Sequence, residues 1–210
     1  FHILWQINIK MKISYNWLKD YINIDLPATE VADILTNTGL EVEKTHDYIS
    51  IKGGLEGLVV GHVTSKEQHP NADKLSVTTI DIGAEKELSI VCGAPNIAKG
   101  QKVIVATIGT TLYDGEGSFK IKKSKLRGEL SEGMICGANE VGLGTDTTGI
   151  MELPLDTEIG MLAKDLFKVE KDTIFEIGLT PNRSDAMGHV GVARDVAAAL
   201  NVFNEEKTSY

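Results

Sequence analysis

Helical periodicity stops near residue 52 and does not return until after residue 150. Between them, short β-rich runs appear near 58–63, 75–82, 87–92, 102–108, 119–122 and 133–136, punctuated by glycine. Closely spaced short strands bury their apolar sides by curling into a small closed or partly closed barrel. Gly53-Gly54 marks the entry to this stretch, and Gly142-Leu-Gly144 with Gly149 marks its exit.

The flanks read differently. Ser14 is placed to cap a short helix with Trp17, Leu18, Tyr21 and Ile22 on one face. Pro27 opens a second helix in which Val31, Ile34 and Leu35 share a face, and Gly39 supplies a left-handed stop. Leu40-Glu-Val-Glu43 alternates as a half-buried strand does. Downstream, Thr173-Ile-Phe-Glu-Ile177 is strand-like and Thr180-Pro-Asn-Arg183 is a turn. A helix follows with Val190, Ala193, Ala197 and Leu200 on one side. Each flank is too short to bury much core alone. The pattern predicts an α+β fold in which residues 11–50 and 151–203 are two halves of one small domain, with the barrel of 51–150 inserted in it. Met11-Lys-Ile-Ser reads as a natural start, so residues 1–10 are set aside as upstream sequence, and 204–210 as a tail.

Charge limits the partners. The chain carries a net −9, which argues against a generic nucleic-acid sponge. Residues 51–150 hold 11 Lys and Arg against 12 Asp and Glu, a net of −1, which leaves −8 to the flanks. Any affinity for a polyanion therefore belongs to the middle of the chain. No apolar run reaches the roughly 18–20 residues of a membrane helix, and the opening nonapeptide lacks the basic leader of a signal peptide. Cys92 and Cys136 form no C-x-x-C and show no ligand spacing with His46, His62 or His69. Reduced, buried thiols and a cytoplasmic location are expected. No metal site and no catalytic residue is expected, since phosphate-loop, G-x-S-x-G and H-E-x-x-H motifs are absent.

Three barrel segments share a polar vocabulary: His69-Pro-Asn-Ala-Asp-Lys-Leu75, Ile90-Val-Cys-Gly-Ala-Pro-Asn96 and Leu126-Arg-Gly-Glu-Leu-Ser-Glu-Gly-Met-Ile-Cys136. In this order they resemble the tRNA-binding OB domain found in several synthetases and in free-standing tRNA-binding proteins. That resemblance makes the barrel an OB fold. Its candidate RNA-binding residues are Asn71, Lys74, Arg127 and Ser131, with Lys120, Lys122, Lys123 and Lys125 adding local positive charge. Arg127 supplies a fork for phosphate or base, Lys74 a point charge, and Asn71 and Ser131 hydrogen bonds to a 2′-hydroxyl or base edge. If 120–125 is one strand, its lysines alternate sides and cannot all face one ligand.

Blander readings stand beside these. In these, Asn71 and Asp73 serve the turn by bonding nearby backbone, and His69 is an ordered turn residue. Gly93 and Pro95 shape a turn, Met134 is core, and the lysine run is a solvated edge that blocks strand pairing. The only aromatics in the region, Tyr113 and Phe119, suffice for one or two unstacked bases but not for a long single strand.

The flanks extend the resemblance. Met11-Lys-Ile-Ser-Tyr-Asn-Trp-Leu-Lys-Asp-Tyr21, Thr38-Gly-Leu-Glu-Val42, Gly54-Leu-Glu-Gly-Leu-Val-Val-Gly61, Ile177-Gly-Leu-Thr-Pro-Asn-Arg-Ser-Asp185 and Gly191-Val-Ala-Arg194 resemble the N-terminal part of bacterial phenylalanyl-tRNA synthetase β chains. The chain departs from that pattern at Gly137, where Ser is usual, and at Asp195, where Glu is. The resemblance implies an (αβ)2 enzyme that joins phenylalanine to tRNA(Phe) with ATP and Mg2+. Its chemistry lies outside this stretch, which needs no cofactor of its own and meets neither membrane nor DNA. Two other readings stay open: a free-standing tRNA-binding protein, and an architectural domain with little RNA contact.

Overall fold

The structure, a computed structural model, describes residues 10–114 and 117–203. The upstream stretch 1–9 and the tail 204–210 lie outside the described residues. The chain divides into two compact units, one made from 1–48 with 171–210 and the other from 49–170.

In chain order the first segment supplies β1 (Met11–Ser14), α1 (Tyr15–Tyr21), α2 (Ala28–Asn37) and β2 (Glu41–Ile49). The second unit contributes β3 (Leu58–Gln68), β4 (Ser76–Asp81), β5 (Leu88–Cys92), β6 (Lys102–Thr107), β7 (Thr111–Asp114), β8 (Gly117–Lys120), β9 (Ser124–Leu126), β10 (Glu129–Ser131), β11 (Gly133–Ile135), β12 (Glu152–Leu153) and the single turn α3 (Ala163–Leu166). The chain then returns to the first unit with β13 (Lys171–Gly178) and α4 (His189–Phe203).

The first unit is a three-stranded sheet of order β1-β13-β2 packed with α1, α2 and α4. β1 and β13 are antiparallel, Met11 opposite Ile177. Phe175 and Ile177 alternate inward from β13 and meet Ile13, Leu18, Leu35 and Val196 in a buried cluster. Ser14 caps α1, its Oγ accepting from the Trp17 amide at 3.0 Å. The buried face of that helix differs from expectation. Tyr15, Leu18 and Ile22 are inside, whereas Trp17 is 60% exposed and Tyr21 is also on the surface. Trp17 rests on the His189 ring at a centroid distance of 4.9 Å instead. Likewise α4 buries Val192 and Val196 beside Ala193, Ala197 and Leu200, while Val190 is exposed. In both helices the residues at the edge of the apolar stripe stay at the surface: Trp17 and Tyr21 in α1, Val190 in α4.

His189 makes this unit sensitive to pH. Its Nε2 accepts from the Ser14 backbone N–H at 2.9 Å, which requires that nitrogen unprotonated. Burial holds its pKa below the ordinary imidazole value, outweighing the pull of Asp172. The unfolded chain therefore binds a proton that the folded one refuses, so stability is full above about pH 6.5 and falls as pH drops below it. Urea midpoints read from Trp17 fluorescence are expected to decline between about pH 7.5 and 5.5, and a His189→Gln variant to show a flatter profile. A wild-type midpoint constant over that range would contradict the assignment.

In the second unit β3 pairs with β6 along its first half and with β4 along the rest, and His62 faces both Asp81 and Lys102. A bulge between Val63 and Ser65 lets the strand bend. The sheet order is β11-β6-β3-β4-β5, with β12 also on β6. Its ends approach where the Glu132 N–H donates to Ser89 O at 2.8 Å and the Val91 N–H donates to Ser131 Oγ at 3.2 Å. A nearly closed β-barrel-like sheet results, filled by Val63, Ile80, Ile90, Val103 and Val105. Gly61 permits the tight curl, since a Cβ there would lie 2.6 Å from Ile80 Cγ2 and 2.7 Å from Val105 Cγ2. Beyond residue 150, where the sequence pattern begins the second flank, Met151, Leu153, Met161, Leu166 and Phe167 pack in this unit against the cluster of Leu58, Ile104 and Leu112.

Candidate nucleic-acid interface

The turn at 69–75 and the hairpin at 126–129 hold each other. His69 is only 3% exposed. Its Nδ1 accepts from the Asn71 N–H at 3.0 Å, so the proton sits on Nε2, which donates to Leu126 O at 3.0 Å. Asn71 Nδ2 donates to Arg127 O at 3.3 Å, and Arg127 Nη1 approaches Asn71 O at 3.5 Å. Gln68 Nε2 bonds Ala72 O, Asp73 O and Leu75 O from below. Gln68 and His69, not Asp73, therefore shape the turn from within, and Asn71 joins it to the hairpin.

What the turn buttresses is Arg127. Leu126 pairs with Glu129, leaving Arg127 and Gly128 as a two-residue connection with φ of 49° and 104°. Positive φ at both positions is the requirement of a type I′ hairpin, normally met by Asn or Gly. An arginine there is strained, and strain of this kind collects at functional positions. The guanidinium is exposed at the tip.

The lysines do not share one strand. β8 ends at Lys120, buried Ile121 bonds back to Thr110 O and Gly109 N, and β9 begins at Ser124. Lys120 and Lys122 both stand in the wall of one cleft. Lys123 turns away to Glu132 at 2.8 Å, and that contact holds the Glu132 carboxyl below its usual range. Lys125 lies exposed on β9 opposite Leu130, and Lys74 is exposed on the turn. Among the described residues Lys74, Lys120, Lys122, Lys125 and Arg127 form no ion pair.

The cleft encloses about 550 Å3. Its walls come from Val91–Pro95 in the second motif, from Ser131 and Gly133–Ile135 in the third, and from Lys120–Lys122 with Ser124. A fourth wall is Thr147–Ile150, at the glycine-marked exit of the β-rich stretch, where the Gly-Thr-Asp-Thr-Thr-Gly run carries no periodicity to point to a wall. Asn96 holds that wall: its side chain donates to Ile150 O and accepts from the Ile150 N–H, both at 3.0 Å, mimicking a strand partner. Gly149 must be glycine, since a Cβ would sit 2.2 Å from Asn96 Oδ1. Asn96→Ala would orphan both backbone groups and is expected to cost about 1–3 kcal/mol in thermal or denaturant unfolding. An unchanged midpoint would mean that water replaces the side chain.

Ser131 takes a different place from the one its residue type suggests. It is buried, accepts from the Val91 N–H and donates to Gly133 O at 3.1 Å, so it closes the barrel beneath the cleft. Gly137 also has a local reason. Its N–H donates to Glu140 Oε2 at 2.7 Å, and a Cβ would lie 2.7 Å from Gly149 O. Tyr113 lies against Gly53, leaving one ring face covered, whereas Phe119 is exposed on β8. Cys92 lines the cleft with its thiol pushed up by burial, and Cys136, more deeply buried, is pushed up to about 12. Both stay protonated at neutral pH, which removes them as nucleophiles.

A barrel with this hairpin and cleft corresponds to a family described as a putative tRNA binding domain, whose model matches residues 58–162, half of the chain. The chain belongs to that family. The matched span runs through β12 to Leu162. Over 190 residues the chain is 54% identical to the phenylalanine–tRNA ligase β subunit of Bacteroides thetaiotaomicron, covering 90% of this chain and 23% of that one. It is 48% identical to the same subunit of Bacillus subtilis over 199 residues, 91% of this chain and 24% of the relative. The chain thus spans about a quarter of the length of these curated relatives. Among solved structures it is similar to the C-terminal domain of Plasmodium vivax p43, at 26% identity and a TM-score of 0.36, over 49% of this chain and 56% of that one.

Proposed function

We propose that this chain is the N-terminal part of a phenylalanine–tRNA ligase β subunit and that its barrel presents Arg127, Lys74 and Lys125 to tRNA. Asn71 serves as the link that aims them, Lys120 and Lys122 face the cleft, and Lys123 and Ser131 support the face from within. The observation that carries the reading is Arg127, strained at a hairpin tip and braced by a buried histidine and an asparagine. A type I′ turn gains nothing from arginine, so the residue is explained by what it meets.

In finer terms the fold is an OB barrel inserted into a split α+β domain, with boundaries near 49 and 170. The parent assembly is an (αβ)2 enzyme in the cytoplasm that charges tRNA(Phe). Among the described residues no three His, Cys, Asp or Glu side chains converge as a metal site requires, and we assign ATP and Mg2+ to the remainder of the assembly. Likewise, no helix among the described residues is long and apolar enough to cross a membrane. The match through both flanks disfavours a free-standing tRNA-binding protein. An architectural role is the second reading, favoured by the internal engagement of Lys123 and Ser131.

Binding of the 210-residue chain to phenylalanine tRNA, followed by anisotropy at about 50 and 200 mM salt, separates the two. An RNA face built on a few cations is expected to lose affinity steeply with salt. No binding at the lower salt would leave the architectural role.

A further inference from the structure

We infer that the cleft beside the hairpin takes one unstacked nucleotide of the RNA. This inference rests on the RNA-binding reading and adds a place and a chemistry to it. Three observations carry it. Lys120 and Lys122 both line the cleft without an ion pair among the described residues, so the wall offers positive charge to a phosphate. Ile121, Met134, Ala94, Pro95 and Ile150 supply an apolar surface for a base or ribose. The volume, about 550 Å3, falls in the range of sites that enclose a small ligand, roughly 300–1,000 Å3.

The polar groups in the wall suit a base edge. The Asn139 carboxamide carries donors and an acceptor on one planar group and makes no hydrogen bond among the described residues. The Ser124 hydroxyl makes no hydrogen bond among the described residues either. The Glu140 carboxylate also lines the cleft, with Oε2 committed to the Gly137 N–H, so one oxygen remains to accept from an amino group. An unstacked base shows its Watson–Crick edge to such side chains, whereas a paired one does not. The two cations and the carboxamide stand in one cavity, which matches a nucleotide better than a bare phosphate.

The test uses the full chain, labelled with 15N and titrated with each nucleoside 5′-monophosphate, and separately with inorganic phosphate. Amides of Gly93, Gly137 and Gly149 report the cleft. At least one nucleotide is expected to shift them at millimolar concentration, with phosphate at the same concentration doing so weakly or not at all. In parallel, Thr147→Trp fills the mouth from an exposed wall position and is expected to lower tRNA affinity roughly tenfold, the worth of one bound base. Asn139→Ala is expected to level any preference among the four nucleotides. No shift with any nucleotide overturns the inference, as does equal response to phosphate. Shifts combined with unchanged tRNA affinity in Thr147→Trp overturn it too, since the cleft would then serve free nucleotide. If the wild-type chain binds no tRNA, the RNA reading itself fails, and the titration still decides whether the cleft takes a nucleotide.

Discussion

Replacing Arg127 by alanine is expected to weaken tRNA binding by about 1–3 kcal/mol, roughly five- to 150-fold, and to reduce the slope of log affinity against log salt by about one. Both effects come from one removed cation at an exposed tip. The hairpin itself should tolerate the change, because the bonds from His69 and Asn71 go to the backbone of Leu126 and Arg127. Asn71→Ala offers the matched control. It removes a brace but no charge, so affinity is expected to fall by less, with the salt slope unaltered. The decisive measurement is the pair of slopes. If Arg127→Ala leaves both affinity and slope at wild-type values, the strained arginine is not an RNA contact.

The second large effect is expected in the other unit. Phe175→Ala should destabilise it by about 3–5 kcal/mol, the range for emptying an aromatic site in a packed core. Phe175 is fully buried on the central strand and its ring meets Tyr15 at 5.8 Å. Tyr15 in turn donates its hydroxyl to Leu26 O, so few groups around the ring are free to collapse into the space. A small domain has about 5–15 kcal/mol in total, so much of it would go. Urea unfolding followed by Trp17, whose ring sits on His189 in this unit, reports the loss directly. A midpoint shift worth under about 1 kcal/mol would show that the core relaxes around the cavity.

Some of this was legible in the sequence. The switch between periods located the β-rich region and the two helical flanks, because a change from a repeat of 3.6 to one of 2 reflects which faces meet solvent. Ser14 as a cap and Gly39 as a helix stop followed from backbone chemistry, and Gly39 has φ of 95°. The pattern groups residues 151–170 with the second flank, whereas Met151, Leu153 and Phe167 pack as scattered anchors on a surface made elsewhere in the chain.

The site was half visible. Residue type suggested Arg127 and the lysines, but direction depends on where strands break. Lys120 and Lys122 share the cleft, as alternation along a strand allows, but buried Ile121 ends the lysine strand and only the position of Glu132 shows that Lys123 is engaged from within. The Ser131 hydroxyl suits an RNA contact by residue type, but it is buried and accepts from the Val91 amide instead. His69 illustrates the reverse. Its residue type allowed many roles, and only the position of Leu126 O, 57 positions away, selected one.

The order of the small sheet has a consequence for biosynthesis. β13 lies between β1 and β2, so neither early strand has its partner until residues 171–178 have left the ribosome. By then all of 49–170 has emerged and can fold, its two ends stitched by the Ser50 N–H to Glu170 O and the Glu170 N–H to Ser50 Oγ, each at 3.0 Å. That stitch shortens the effective loop that β13 must close. The segment translated first is therefore expected to acquire its structure last, and a nascent chain stopped before residue 171 should show a protected barrel behind a protease-sensitive leading end.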